Sequence, residues 1–151
     1  MAKKVLFPTD GSIAARRTAE LASSFLGDLQ DVEVTVLVAV AFYDESEADY
    51  GEEFVRTRNT WMRQKAERAT TQAVAVFAEN GIKAEALIVE GDPVSAAISE
   101  EAKKGDYNLI VMGSRGLSLE KEQLSYVGSV TQHVLRRVSI PVLVIPAQPE
   151  N

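Results

Sequence analysis

The sequence has no cysteine and a single histidine, His133. The first absence removes disulfides, thiolate metal ligands, iron–sulfur clusters and thiol nucleophiles together. The second leaves no paired-histidine metal motif and little material for general-base chemistry. Long apolar runs are missing as well. The longest, Val36 to Tyr43, is too short to span a bilayer, and the first ends after Phe7, far short of a signal-peptide core. A soluble, cytoplasmic protein with no membrane association is expected. Positive charge is in deficit, with 16 Lys plus Arg against 22 Asp plus Glu and a net charge of −6. This balance argues against nucleic acid as a partner. It does not argue against a small phosphorylated ligand, because a helix N-terminus or a glycine turn binds phosphate through main-chain amides. These counts lean away from an ordinary hydrolase.

What is present suits one core. The chain has 151 residues, 46% of them hydrophobic, which reads as a single domain over 1–151 with no repeat or linker. Its apolar periodicity switches repeatedly. Lys4 to Phe7 reads as a strand ended by Pro8 and a turn at Asp10-Gly11-Ser12. A helical pattern follows from Ile13, with Ala14, Thr18, Leu21 and Phe25 as its stripe and Gly27 as its stop. Val32 to Val40 is a strand apolar on both faces, hence central. A long helix from about Phe54 to Phe77 closes at Asn80-Gly81. Then come a strand at Ala84 to Val89, a helix from Pro93, a strand at Asn108 to Met112, a helix marked by Val127, Val130, Val134 and Val138, and a strand at Val142 to Ile145. This alternation predicts a parallel sheet covered by helices on both faces, a doubly wound α/β domain. In such sheets a ligand sits beyond the carboxyl ends of the strands, where strand order reverses. The two long connections, 41–53 and 113–127, both follow strands and so lie at that end.

Two segments there carry chemistry. In Phe7-Pro8-Thr9-Asp10-Gly11-Ser12 a carboxylate stands over the sheet edge, able to accept from a ribose hydroxyl or a base amino group. Taken alone, Asp10 or Ser12 reads more simply as a helix cap. In Met112-Gly113-Ser114-Arg115-Gly116 the glycines let a phosphate lie against main-chain amides, and Arg115 offers a charge-assisted contact. Gly128-Ser129, at the start of a helix, adds free amides, a hydroxyl and a favourable dipole. Two glycines in isolation make a surface turn. Their position after an apolar strand, joined to a later Gly-Ser before a helix, is what gives the pattern specificity.

The chain from residue 3 to 146 resembles the universal stress protein family. The likeness is carried by Val5-Leu6-Phe7-Pro8-Thr9-Asp10-Gly11-Ser12, by Gly91-Asp92-Pro93 with Ile98, by Tyr107 through Gly116, by Gly128-Ser129-Val130 and by Pro141-Val142-Leu143-Val144-Ile145. The family's ATP-binding branch has Gly, two residues, Gly, nine residues, Gly, then Ser or Thr. Here eleven residues, 117–127, separate Gly116 from Gly128, so the loop is two residues longer. Retention of all three glycines favours the ATP-binding branch. The resemblance implies a five-stranded α/β/α sandwich of adenine-nucleotide α-hydrolase-like type, with strand order 3-2-1-4-5 and two helices on each face. It implies a homodimer paired through the last strand, Val142 to Ile145. It places Pro8, Thr9 and Asp10 against the adenosine, and the main chain of Ala39, or of Val40, on the adenine edge. Met112 forms the pocket floor, Gly113, Arg115 and Gly116 wrap the ribose and phosphates, and Gly128, Ser129 and Val130 hold the terminal phosphates. The ligand implied is ATP, or ADP or AMP, with room for Mg or Mn on the phosphates although these motifs offer no carboxylate cage.

Other features carry less. The acidic run from Asp44 to Glu53 and the Arg- and Lys-rich stretch after it read as a solvated loop and helix face, with a partner-recruiting flap as the sharper alternative. Trp61 is either an interface anchor or packed on its own domain. His133 reads as a surface or half-buried helical residue, and Lys103-Lys104 as a helix C-terminus. No phosphate-binding Gly-x-x-x-x-Gly-Lys-Ser/Thr motif occurs, and the acidic cluster of a response regulator is missing. The functional expectation is a nucleotide-dependent regulatory module of the stress response with an unidentified protein partner. The alternatives are a slow ATP hydrolase, with no catalytic residue assigned, and a nucleotide-independent dimeric adaptor.

Overall fold

The computed structural model describes residues 2–44, 46, 49, 51–114 and 128–146. Strands and helices alternate along them: β1 (Lys3–Pro8), α1 (Ile13–Leu26), β2 (Val32–Val40), α2 (Glu52–Glu79), β3 (Lys83–Glu90), α3 (Val94–Lys104), β4 (Leu109–Gly113), α4 (Ser129–Arg137) and β5 (Val142–Ile145). All pairings are parallel, in the order β3-β2-β1-β4-β5. The order expected from the family resemblance is therefore the observed one.

The apolar runs become central strands because both faces of the sheet are covered. On one face α1 and α2 pack on β1, β2 and β4, joining Phe7, Ala19, Leu26, Val36, Phe77 and Val111 in one cluster. Phe7 and Phe77 meet edge to face with ring centroids 5.2 Å apart, and each buried ring contributes about 1.5–3 kcal/mol. On the other face α3 and α4 set Ile98, Ala102 and Val134 against Leu6, Leu37 and Ile110. Two helices per face is thus the observed layering.

One expectation about α1 is corrected. Leu21 and Phe25, read as part of its core stripe, are 41% and 56% exposed. The buried side is Thr18, Ala19, Ala22, Ser23 and Leu26. Small residues win that face because they let the helix approach α2 closely, and a polar pair locks the approach. Ser23 Oγ donates to the Val76 carbonyl at 3.3 Å and accepts from Asn80 Nδ2 at 2.9 Å. The helix α2 begins at Glu52, two residues before its expected start, and Pro93 caps α3 rather than opening it.

Candidate functional site

The crevice at the sheet's reversal point follows from backbone arithmetic. In a strand, successive residues point their N–H and C=O to opposite sides. The Thr9 N–H donates to the Leu37 carbonyl at 2.8 Å, so Thr9 faces β2 and Pro8 faces β4. The next rung between β1 and β4 needs an N–H at position 8, where proline has none. Pairing between these strands accordingly stops at Leu6 with Ile110. Past that point β1 and β4 part.

The same alternation turns Ala39 and Val40 to opposite sides. The Val40 carbonyl accepts from the Gly91 N–H at 3.0 Å, so Val40 faces β3. Leu37 faces β1, and so does Ala39 two residues on. β1 pairs with β2 only as far as Pro8 with Leu37. The Ala39 main chain is therefore turned into the crevice beyond the end of β1, while the Val40 main chain is used in the sheet.

The turn after β1 is built twice over. The Asp10 carboxylate accepts from the Ser12 N–H at 2.9 Å, and Ser12 Oγ accepts from the Ala15 N–H at 3.1 Å as the N-cap of α1. The cap reading of the segment is met: Ser12 is the cap, and Asp10 supports it through one oxygen, while its second oxygen bonds no other described residue. Gly11 adopts φ +77°, and a Cβ there would meet the Ala69 Cβ of α2 at 2.8 Å. Only glycine lets α2 close this side of the crevice.

Across the crevice the two glycine ends meet. The Gly128 N–H donates to the Ser114 carbonyl, and the Ser114 N–H donates to the Ile145 carbonyl at 2.9 Å. Thr131 Oγ1 donates to the Gly113 carbonyl at 2.9 Å. Gly128 supplies no side-chain cap, so α4 presents its first amides, those of Ser129 and Val130, at the exit of β4. Met112 lies beneath at 5% exposure. The structure thus brings Pro8, Thr9, Asp10, Ala39, Met112, Gly113, Gly128, Ser129 and Val130 to one end of the sheet. Arg115, Gly116 and Val127 lie outside the described residues. Thr131 is the residue that sequence reasoning missed; its signal was a hydroxyl two positions after the Gly-Ser that starts a helix.

The remaining candidates sit elsewhere. His133 is exposed on α4, and Trp61 is 53% exposed with the Lys65 ammonium 5.2 Å from its ring centroid. Two open grooves of about 480 and 580 Å³ run along α2, one lined by Arg56, Thr60 and Trp61 and the other by Phe42, Tyr43, Asn59, Arg63 and Glu90. Asn59 holds the main chain of Tyr43 through two hydrogen bonds of 2.9 and 2.8 Å, and the Arg58 guanidinium lies 3.6 Å from the Tyr43 ring centroid. Neither groove is lined by a residue of the crevice. Among the described residues no three His, Asp or Glu side chains gather closely enough to hold a metal ion, and no helix is long and apolar enough to cross a membrane.

Comparison with known proteins adds the lineage. A universal stress protein of Synechocystis, Sll1654, is 30% identical over 146 residues, covering 97% of this chain and 87% of that one. The solved structure of MJ0577, a universal stress protein of Methanocaldococcus jannaschii, superposes with a TM-score of 0.82 at 29% identity, covering 99% of both chains. An Arabidopsis thaliana member solved with AMP bound superposes at 0.70 with 21% identity, covering 97% of this chain and 92% of that one. The family model for universal stress proteins matches residues 1–146. With this match and this sheet, the chain belongs to the universal stress protein family.

Proposed function

We propose that this protein binds an adenine nucleotide in the crevice between β1 and β4 and acts as a nucleotide-dependent regulatory module in the cytoplasm. The observation that carries the reading is the convergence, at the strand-order reversal, of the Asp10 turn, the outward main chain of Ala39 and the uncapped start of α4 tied to Gly113. The AMP bound by the Arabidopsis relative supports the ligand class.

In this reading the free Asp10 oxygen accepts from the ribose, and the Ala39 N–H and C=O pair with the adenine edge. Ala39 is better placed than Val40, whose carbonyl is bonded to Gly91. Pro8, Thr9 and Met112 bound the pocket, while Gly113 and the amides of Ser129 and Val130 face the phosphates, where the dipole of α4 favours negative charge. The family resemblance would add Arg115 and Gly116, which lie outside the described residues. The described residues build no cage for a divalent cation, and nothing in the reading is routed through one. Occupancy would act by favouring one arrangement of the crevice mouth over another, changing the surface shown to a partner.

Calorimetric titration with ATP, ADP and AMP tests this. Saturable binding below millimolar concentration is expected, and Asp10→Ala should weaken it by about tenfold or more, the cost of a lost charged hydrogen bond. Absence of saturable heat with all three nucleotides would reject the reading.

A further inference from the structure

Of the described buried hydroxyls on helices, Thr18 bonds to the Ala14 carbonyl, Thr70 to Glu67 and Ser99 to Ser95 within their own helices, while Ser23 reaches the neighbouring helix α2. Thr131 reaches the sheet instead. Its hydroxyl, 3% exposed and in the first turn of α4, crosses to the Gly113 carbonyl on β4, 18 residues away in sequence. The peptide group joining Gly113 and Ser114 is then held at both ends. Its carbonyl accepts from Thr131, and its N–H donates to Ile145 at the end of β5. The Ser114 carbonyl in turn takes the Gly128 N–H. One peptide plane therefore joins the first turn of α4, the exit of β4 and the last residue of the edge strand.

We propose that Thr131 is a positioning residue, which locks the start of α4 to Gly113 so that the Ser129 and Val130 amides stand over the end of β4, in register with β5. The described residues on either side, Ser114 and Gly128, are joined by the Gly128 N–H to Ser114 carbonyl bond, which extends the clasp. Loss of the hydroxyl takes this donor from the part-buried Gly113 carbonyl and frees the helix start to move.

The ligand arm of the test rests on the nucleotide reading above; the other arm does not. Amide hydrogen exchange is measured on the full ligand-free chain, and ATP and adenosine are titrated into the same preparations. In Thr131→Val, exchange at residues 114 and 129–132 should rise by about tenfold or more, and ATP affinity should fall by about tenfold. Adenosine affinity should stay within about twofold, since its contacts lie away from the clasp. Thr131→Ser, which keeps the hydroxyl, should behave as the wild type in both arms. Wild-type exchange at these positions in Thr131→Val overturns the clasp, as does equal loss of ATP and adenosine. If no variant binds either ligand, the nucleotide reading fails, and the exchange pattern alone decides for or against the clasp. If Thr131→Val does not fold, the wild-type Thr131 hydroxyl proton is sought by NMR: a slowly exchanging proton supports the bond, and its absence at low temperature overturns it.

Discussion

Single residues set the limits of this site through what they lack. Pro8 lacks the N–H that would carry the ladder from β1 to β4, and Gly11 lacks the Cβ that would strike Ala69. The proline and the glycine were both visible in the sequence as a strand end and a turn. What they open and admit was not, because that depends on which way Pro8 faces and on Ala69, a helix residue more than fifty positions later. Thr131 stayed hidden for a related reason, since its position after the Gly-Ser marks a hydroxyl near the helix start but not the strand carbonyl that it reaches. Away from the site, Tyr107 carries a prediction of its own. Its hydroxyl donates to Glu101 at 3.2 Å, its ring lies under the Lys4 ammonium, and burial, the largest cause, pushes its pKa above the ordinary 10.0. The Glu101 and Glu85 carboxylates add to this, while a hydrogen bond with Thr35 works the other way. The folded state thus holds the phenolic proton longer than the unfolded chain does. This contribution is complete below about pH 10 and is lost as pH rises through the folded pKa. Denaturant titrations from pH 8 to 11 should show stability falling above pH 10, and Tyr107→Phe should make the fall shallower. An unchanged slope would remove Tyr107 from the account.

At the scale of elements, the order of strands and helices was legible because the hydrophobic period changes cleanly at each turn. The inward face of α1 was not. The expected stripe included Leu21 and Phe25, yet the helix buries Thr18, Ala19, Ala22, Ser23 and Leu26, with Ser23 bonded across to α2. Sheet order was likewise beyond periodicity and came from the family resemblance. The edge strand β5 yields the next prediction. Residues 141, 143 and 145 turn toward β4, since the carbonyls of Pro141 and Ile145 accept from Ile110 and Ser114. Val142 and Val144 therefore turn their main chain outward, the arrangement a homodimer paired through this strand requires. We propose that dimer for this chain. Val144→Pro removes an outward N–H without touching the ladder to β4. Sedimentation should show a dimer for the wild type and a monomer for Val144→Pro, with circular dichroism unchanged. A dimer that survives this substitution would place the interface elsewhere.

For the whole molecule, a net charge of −6 first set nucleic acid aside and left a phosphorylated ligand open. In the proposed reading, the described part of the phosphate end consists of main-chain amides and a helix start rather than a basic patch. Two open grooves, by contrast, lie along α2 and carry Arg56, Arg63 and exposed aromatics. A nucleotide drawn by guanidinium charge and stacking would settle there instead, which makes location the decisive question. Backbone NMR of the isotopically labelled full chain, titrated with ATP, answers it. The account predicts shift changes at Thr9 to Ser12, Ala39, Met112 to Ser114 and Gly128 to Thr131, with the residues lining the α2 grooves unmoved. Changes concentrated at Tyr43, Arg56, Asn59 and Arg63, with the crevice silent, would contradict it.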